Sequence, residues 1–160
     1  MSSKPTARRT DNLFCWLDAR LTAQDHCIDS ILLLCYIIGV AWEVEFTDEF
    51  EQWWNSLSES EQGKADARVR LLMERGPNLG FPFSSQVKSS RYPEMRELRA
   101  QAGGDPLRML YAFDPRRIAI LLVAGDKTGD DRWYETNVTI ADRLFERHLQ
   151  TIEKERAERG

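Results

Sequence analysis

Arg108 and Lys127 are charged groups at the edge of a buried hairpin, the first place to look for chemistry. They stand at the two ends of one stretch, Leu107 to Gly129, which reads as two β-rich runs joined by the turn Asp114-Pro115-Arg116-Arg117. Arg99 closes the run just before it. Guanidinium and ammonium groups at the rim of a buried hairpin suit an anionic partner, and Arg can hold a phosphate through two parallel N–H bonds. Otherwise these charges are a solvated sheet edge and turn. Histidine offers little. The only two are His26 and His148, and His148, late in the last helix, reads as a helix-surface residue. No Cys/His cluster has metal-ligand spacing. Gly125-Asp126-Lys127-Thr128-Gly129 lacks the glycine spacing of a phosphate loop, and no helix starts directly after Thr128, which argues against nucleotide binding.

The elements that must position these residues are legible in the pattern. Met109, Tyr111 and Phe113 alternate with Arg108, Leu110 and Ala112, a strand with two different faces. Ile118 to Ala124 is apolar without a break, as in a strand covered on both sides. Upstream, Met95 to Ala100 is a further strand, ended by the turn Gly103-Gly104-Asp105-Pro106. Trp42 to Phe46 alternates apolar and acidic residues and predicts a first strand. Thr47 can cap a helix with acids in its first turn, where Phe50, Trp53, Trp54 and Leu57 share one face. Ser58 and Glu61 form a capping box for a second helix carrying Ala65, Val69, Leu72 and Met73, stopped by Gly76-Pro77. Trp53 and Trp54 read as core or as a partner contact. Asn78 to Pro93 reads as a loop holding Lys88 and Arg91. A last helix is expected over 137–158, with charge and alanine fraying into solvent from Glu153. The order β-α-α-β-β-β-α describes an α+β domain with an antiparallel meander.

Totals set limits on what the chain can be. Its 160 residues, 42% of them hydrophobic and 30% charged, suit one domain with a real core. The net charge of −4 hides a polarity. From Glu43 to Glu74 nine acids face three bases, and from Phe81 to Lys127 eight bases face five acids. The basic half could meet phosphate. Three cysteines, Cys15, Cys27 and Cys35, are too few and too clustered for a disulfide framework and indicate a reducing compartment. Residues 1–41 form an extension, Ser/Thr/Arg-rich at first and apolar from Ile31 to Ala41. Eleven apolar residues are too few to span a bilayer. This stretch reads as a short docking helix, a membrane-associating segment, or a sequence upstream of a working start near Val40. The domain itself is expected over 42–152, with a charged tail over 153–160.

The runs Met95-Arg96-Glu97-Leu98-Arg99, Leu107 to Phe113, Ile120-Leu121-Leu122 and Gly125 to Gly129, with the opening Trp42-Glu43-Val44 and an acidic, Trp-rich helix, resemble the RelE/ParE superfamily of bacterial toxins. The resemblance is to the HigB-like, phage Gp49-related branch and covers Val40 to about Gln150. It implies a RelE-like fold, with an antiparallel sheet packed against a helical hairpin and a C-terminal helix. It implies the toxin of a type II toxin–antitoxin pair, a cytoplasmic endoribonuclease that cuts mRNA at the ribosome without a metal or other cofactor. Its partners would be a cognate helix-turn-helix antitoxin, and operator DNA only through that antitoxin. ParE-type relatives instead poison gyrase, and a degenerate member would only bind its antitoxin. Metal-free cleavage needs a group to take the 2′ proton, positive charge on the phosphate, and a proton for the leaving oxygen. On this resemblance Arg108 and Arg99 stabilise the phosphate, and Lys127 acts as acid or further clamp. Lys88, Arg96, Trp133 and Tyr134 would contact RNA, Tyr134 by stacking or proton transfer. Two acids depart from the pattern. Glu97 stands where a base is expected, and Asp126 is expected to pair with Lys127.

Overall fold

The computed structural model describes residues 41–130 and 132–160 and the backbone of residues 8–9. The three readings of the apolar run therefore lie outside the described residues, except at its last residue, Ala41, which is exposed. In chain order the elements are β1 (Arg8–Arg9), β2 (Val44–Phe46), α1 (Asp48–Ser56), α2 (Glu59–Arg75), β3 (Ser84–Gln86), β4 (Arg96–Ala102), β5 (Asp105–Phe113), β6 (Ala119–Asp126) and α3 (Trp133–Arg159).

The strands form one sheet in the order β1-β2-β6-β5-β4-β3. The meander β4-β5-β6 is antiparallel, as expected, whereas β2 lies parallel to β6 and makes the sheet mixed. The α1–α2 hairpin covers one face. Phe46, Phe50, Trp54, Val69, Leu72 and Tyr111 belong to its core. The other face is covered by α3, through Val138, Ala141, Leu144 and Phe145 against Leu110, Ile120 and Leu122. β6 is thus buried on both sides, which is why its sequence shows no polar alternation.

Local chemistry sets the helix starts. Thr47 accepts the Phe50 N–H, and Ser58 and Glu61 form the capping box, each satisfying N–H groups that a helix leaves open. Three boundaries differ from the sequence reading. Asn78 to Pro93 contains the short edge strand β3, paired with β4 from Ser84↔Leu98 to Gln86↔Arg96. The turn before β5 is only Gly103-Gly104, both with positive φ (59° and 101°), so Asp105 and Pro106 already belong to the strand. The last helix starts at Trp133 rather than Asn137 and stays helical to Arg159, exposed over its end.

One irregularity interrupts the β5–β6 ladder. Leu110 pairs with Val123 but Tyr111 pairs with Leu121, leaving Leu122 as an extra residue. Its carbonyl accepts the Thr47 hydroxyl at 2.5 Å, so the bulge is fastened to the start of α1.

Candidate functional site

The two-glycine turn fixes the β4–β5 register, and that register sets Arg99 directly opposite Arg108. Strand alternation sends both to the α3 side of the sheet, together with Glu97. Arg108 also pairs with Gly125 on β6. Gly125 leaves room there. A Cβ at that position would lie 2.7 Å from the Trp133 indole nitrogen, so only glycine lets the first turn of α3 settle so close.

Glu97 is the hub of this cluster and is 6% exposed. Its Oε2 accepts the Tyr134 hydroxyl at 2.6 Å and lies 3.9 Å from Arg108 Nε. Its Oε1 accepts the Ser85 hydroxyl at 2.8 Å and lies 3.7 Å from Arg99 Nε. Neither arginine is within hydrogen-bonding distance of the carboxylate in these contacts. Arg108 donates to the Leu107 carbonyl, and its buried Nε has no hydrogen-bond partner. A buried guanidinium with an unsatisfied N–H is a donor ready for an anion. Burial and the adjacent Glu97 carboxylate raise the Tyr134 pKa, with Arg108 opposing more weakly, so the phenol stays protonated. The Lys127 ammonium sits 4.9 Å from the centre of the Tyr134 ring.

Arg99, Arg108, Lys127 and Tyr134 are therefore brought together. Three other expected residues stand apart. Trp133 is 4% exposed and packed in the α3 core beside Gly125, so its indole presents no face to a base. Arg96 points to the opposite face of the sheet, where it donates to the Leu79 carbonyl and to Ser84 Oγ; strand alternation places it away from Arg99. Lys88 is exposed on the loop before α3's flank, next to Ser89. There a cleft of about 370 Å³ opens beside Tyr134, lined also by Glu135, Val138, Thr139 and Asp142. The expected Asp126–Lys127 pair is absent, because Asp126 Oδ1 takes the Thr128 N–H and hydroxyl at 2.7 and 2.6 Å, a local turn that outcompetes a flexible lysine.

Sequence reasoning did not recognise Glu97 as a centre. Its signal was the two-residue spacing to Arg99, which puts both on one face of a strand. His148 was also misjudged. It is 4% exposed, with Nε2 3.0 Å from Asp114 Oδ2. Arg116 joins the same carboxylate and reaches Glu45 at 2.9 Å. Ala141, Leu144, Phe145 and His148 fall at i, i+3, i+4 and i+7, which was the available sign of burial. Among the described residues, no group of three or more His, Cys, Asp or Glu side chains is placed to hold a metal ion, and no helix is long and apolar enough to cross a membrane.

Known proteins resemble this chain in sequence. Residues 52–146 match the family described as phage derived protein Gp49-like (DUF891). The chain is 37% identical over 134 residues to the candidate toxin HigB2 of Mycobacterium tuberculosis, covering 82% of this chain and 65% of that protein. It is 40% identical over 102 residues to the candidate toxin HigB3 of the same organism, covering 63% of this chain and 88% of that protein. The chain thus spans less than two thirds of the first of these relatives and most of the second. No solved structure matches it. The family match runs from α1 into α3 and takes in every strand that carries the Glu97 centre: the chain belongs to the phage-derived Gp49-like family.

Proposed function

We propose that this protein is the toxin of a type II toxin–antitoxin pair and cleaves mRNA during translation, using side-chain cations in place of a metal. The relatives' toxin names support the first part. One observation carries the second: Arg99 and Arg108 face each other across β4 and β5, with the Glu97–Tyr134 hydrogen bond beside them. The RNA 2′-oxygen attacks the adjacent phosphorus, the bond to the 5′-oxygen breaks, and a cyclic phosphate forms. Glu97 takes the 2′ proton. Tyr134 gives its proton to the departing 5′-oxygen, while Lys127 over the ring opposes the negative charge left behind. Glu97 then returns a proton to Tyr134 along their 2.6 Å contact, and the site is restored. Arg108 and Arg99 hold the extra charge on phosphorus. The partners are mRNA on the cytoplasmic ribosome and a helix-turn-helix antitoxin, with operator DNA reached only through the antitoxin.

Expression of the chain alone should arrest growth and cut transcripts, and Arg108→Ala should abolish both. Arrest with intact transcripts and trapped DNA breaks would instead mark a gyrase poison. A second reading is favoured by Glu97, whose charge offsets the two arginines: a family member that binds its antitoxin without cutting RNA. Glu97→Gln separates the two readings. Cleavage falls with it if Glu97 moves the proton, whereas a binding-only protein leaves transcripts intact with either residue.

A further inference from the structure

Phe81 is the large hydrophobic side chain that the described residues leave in solvent, 79% exposed. The loop that carries it is pinned on both sides. Leu79 is fully buried, and Phe83 packs against the same core. The Phe83 and Ser84 N–H groups both bond to the Gly80 carbonyl, at 3.1 and 3.0 Å. The ring is therefore presented to solvent by a fixed loop. The Arg99 guanidinium lies 5.7 Å from its centre, and that arginine is the one opposite Arg108. Two aromatic rings thus flank the cationic centre, Tyr134 on the Glu97–Arg108 side and Phe81 beyond Arg99.

A lone exposed ring is a small area for docking a protein. It is a full stacking surface for one base, since every base has a π-face. Single-stranded RNA is held elsewhere by this combination of arginine on the phosphate and an aromatic under the neighbouring base. We propose that Phe81 is the stacking platform for an unpaired nucleobase next to the phosphate held by Arg99 and Arg108. This rests on the endoribonuclease reading and adds a subsite to it.

The test uses the full chain and a dye-labelled 2′-O-methyl oligoribonucleotide, which cannot be cut because it has no free 2′-hydroxyl, with binding followed by fluorescence anisotropy. Phe81→Leu keeps an apolar residue at an exposed position and should weaken binding about tenfold, while Phe81→Trp should bind as well as the natural protein. A set of oligonucleotides with one abasic position each should contain one for which Phe81→Leu no longer matters. If Phe81→Leu binds normally while Arg108→Ala binds poorly, the platform is wrong and the endoribonuclease reading stands. If the natural protein does not bind, or Arg108→Ala also changes nothing, the platform falls, and transcript cleavage on expression decides the endoribonuclease reading by itself. If Phe81→Leu leaves RNA binding intact but weakens a helix-turn-helix partner, Phe81 is a protein contact and the platform is overturned.

Discussion

α3 meets a group of arginines and carboxylates at each end of the sheet, and the two groups are built differently. Near its start, Tyr134 joins Glu97, Arg99 and Arg108, where the arginine Nε–carboxylate contacts are 3.7 and 3.9 Å and one guanidinium N–H is unsatisfied. Fourteen residues later, about 21 Å along the helix, His148 joins Asp114, Arg116 and Glu45. There the shortest contact of each ion pair lies between 2.6 and 3.0 Å, and Asp114 also takes the Arg116 and Ile118 N–H groups. The same residue types therefore serve opposite ends. A closed set of short bonds fixes the β5–β6 turn to α3 and to β2. A looser set keeps its donors open, at some cost to stability, and can accept a ligand.

The largest expected effect breaks the open end alone. Arg108→Ala should lower RNA cleavage by about a hundredfold or more, measured with the purified protein in a translation reaction, with little change in thermal unfolding because its Nε is already unpartnered. Next comes the closed end. Asp114→Ala removes the carboxylate partner of His148 and leaves Arg116 with Glu45 alone, and should cost about 3 kcal/mol in urea unfolding, with cleavage per folded molecule unchanged. Equal loss of cleavage and stability in both variants would erase the distinction between the ends.

Acid sharpens it. Burial alone would raise the Asp114 carboxyl, but the bonds from His148, Arg116 and the Ile118 N–H outweigh it and hold the carboxyl below its usual 3.8. A lowered folded pKa means that the stabilisation is whole above the unfolded value and is lost as pH falls through it towards the folded value. The stability gap between the natural protein and Asp114→Asn should therefore be full at pH 7 and narrower at pH 3.

Gly125→Ala comes after these. The added methyl pushes Trp133 and the first turn of α3, costing about 2 kcal/mol of strain and displacing Tyr134, so cleavage should fall as well. The smallest effect is a control away from both ends. Ser58→Ala removes the capping box of α2 and should cost about 1 kcal/mol with normal cleavage.

What could be read in advance followed the strength of local signals. Thr47, Ser58 and Glu61 announce two helix starts because capping is short-range chemistry. The period of β5 and the unbroken β6 announce the hairpin, and with it the return of Arg108 and Lys127 to one end of the sheet. The start of α3 was missed because Arg132 makes no side-chain cap, so nothing local marks Trp133 as helical. β3 was missed because Ser84, Ser85 and Gln86 have no strand propensity. Their pairing with β4 and the Ser84 Oγ···Tyr111 hydroxyl contact, 2.8 Å, hold them instead. Glu97 looked like an intruder in a basic strand because its partners come from β3, β5 and α3, distances that no sequence pattern reports. Trp133 and Arg96 show the converse: residue types suited to RNA, assigned by the fold to the core and to the far face.

The extra residue at Leu122 works as a phase shift in the sheet. If Leu122 were paired in the ladder instead, the register seen at the turn would run on unbroken, and Arg108 would face Ala124 instead of Gly125. The methyl would then occupy the gap now taken by the Trp133 indole. A bulge far from any charged group thus sets the centre without contributing one of its side chains. In comparing this protein with its relatives, whether this bulge is kept is as informative as the identity of the arginines.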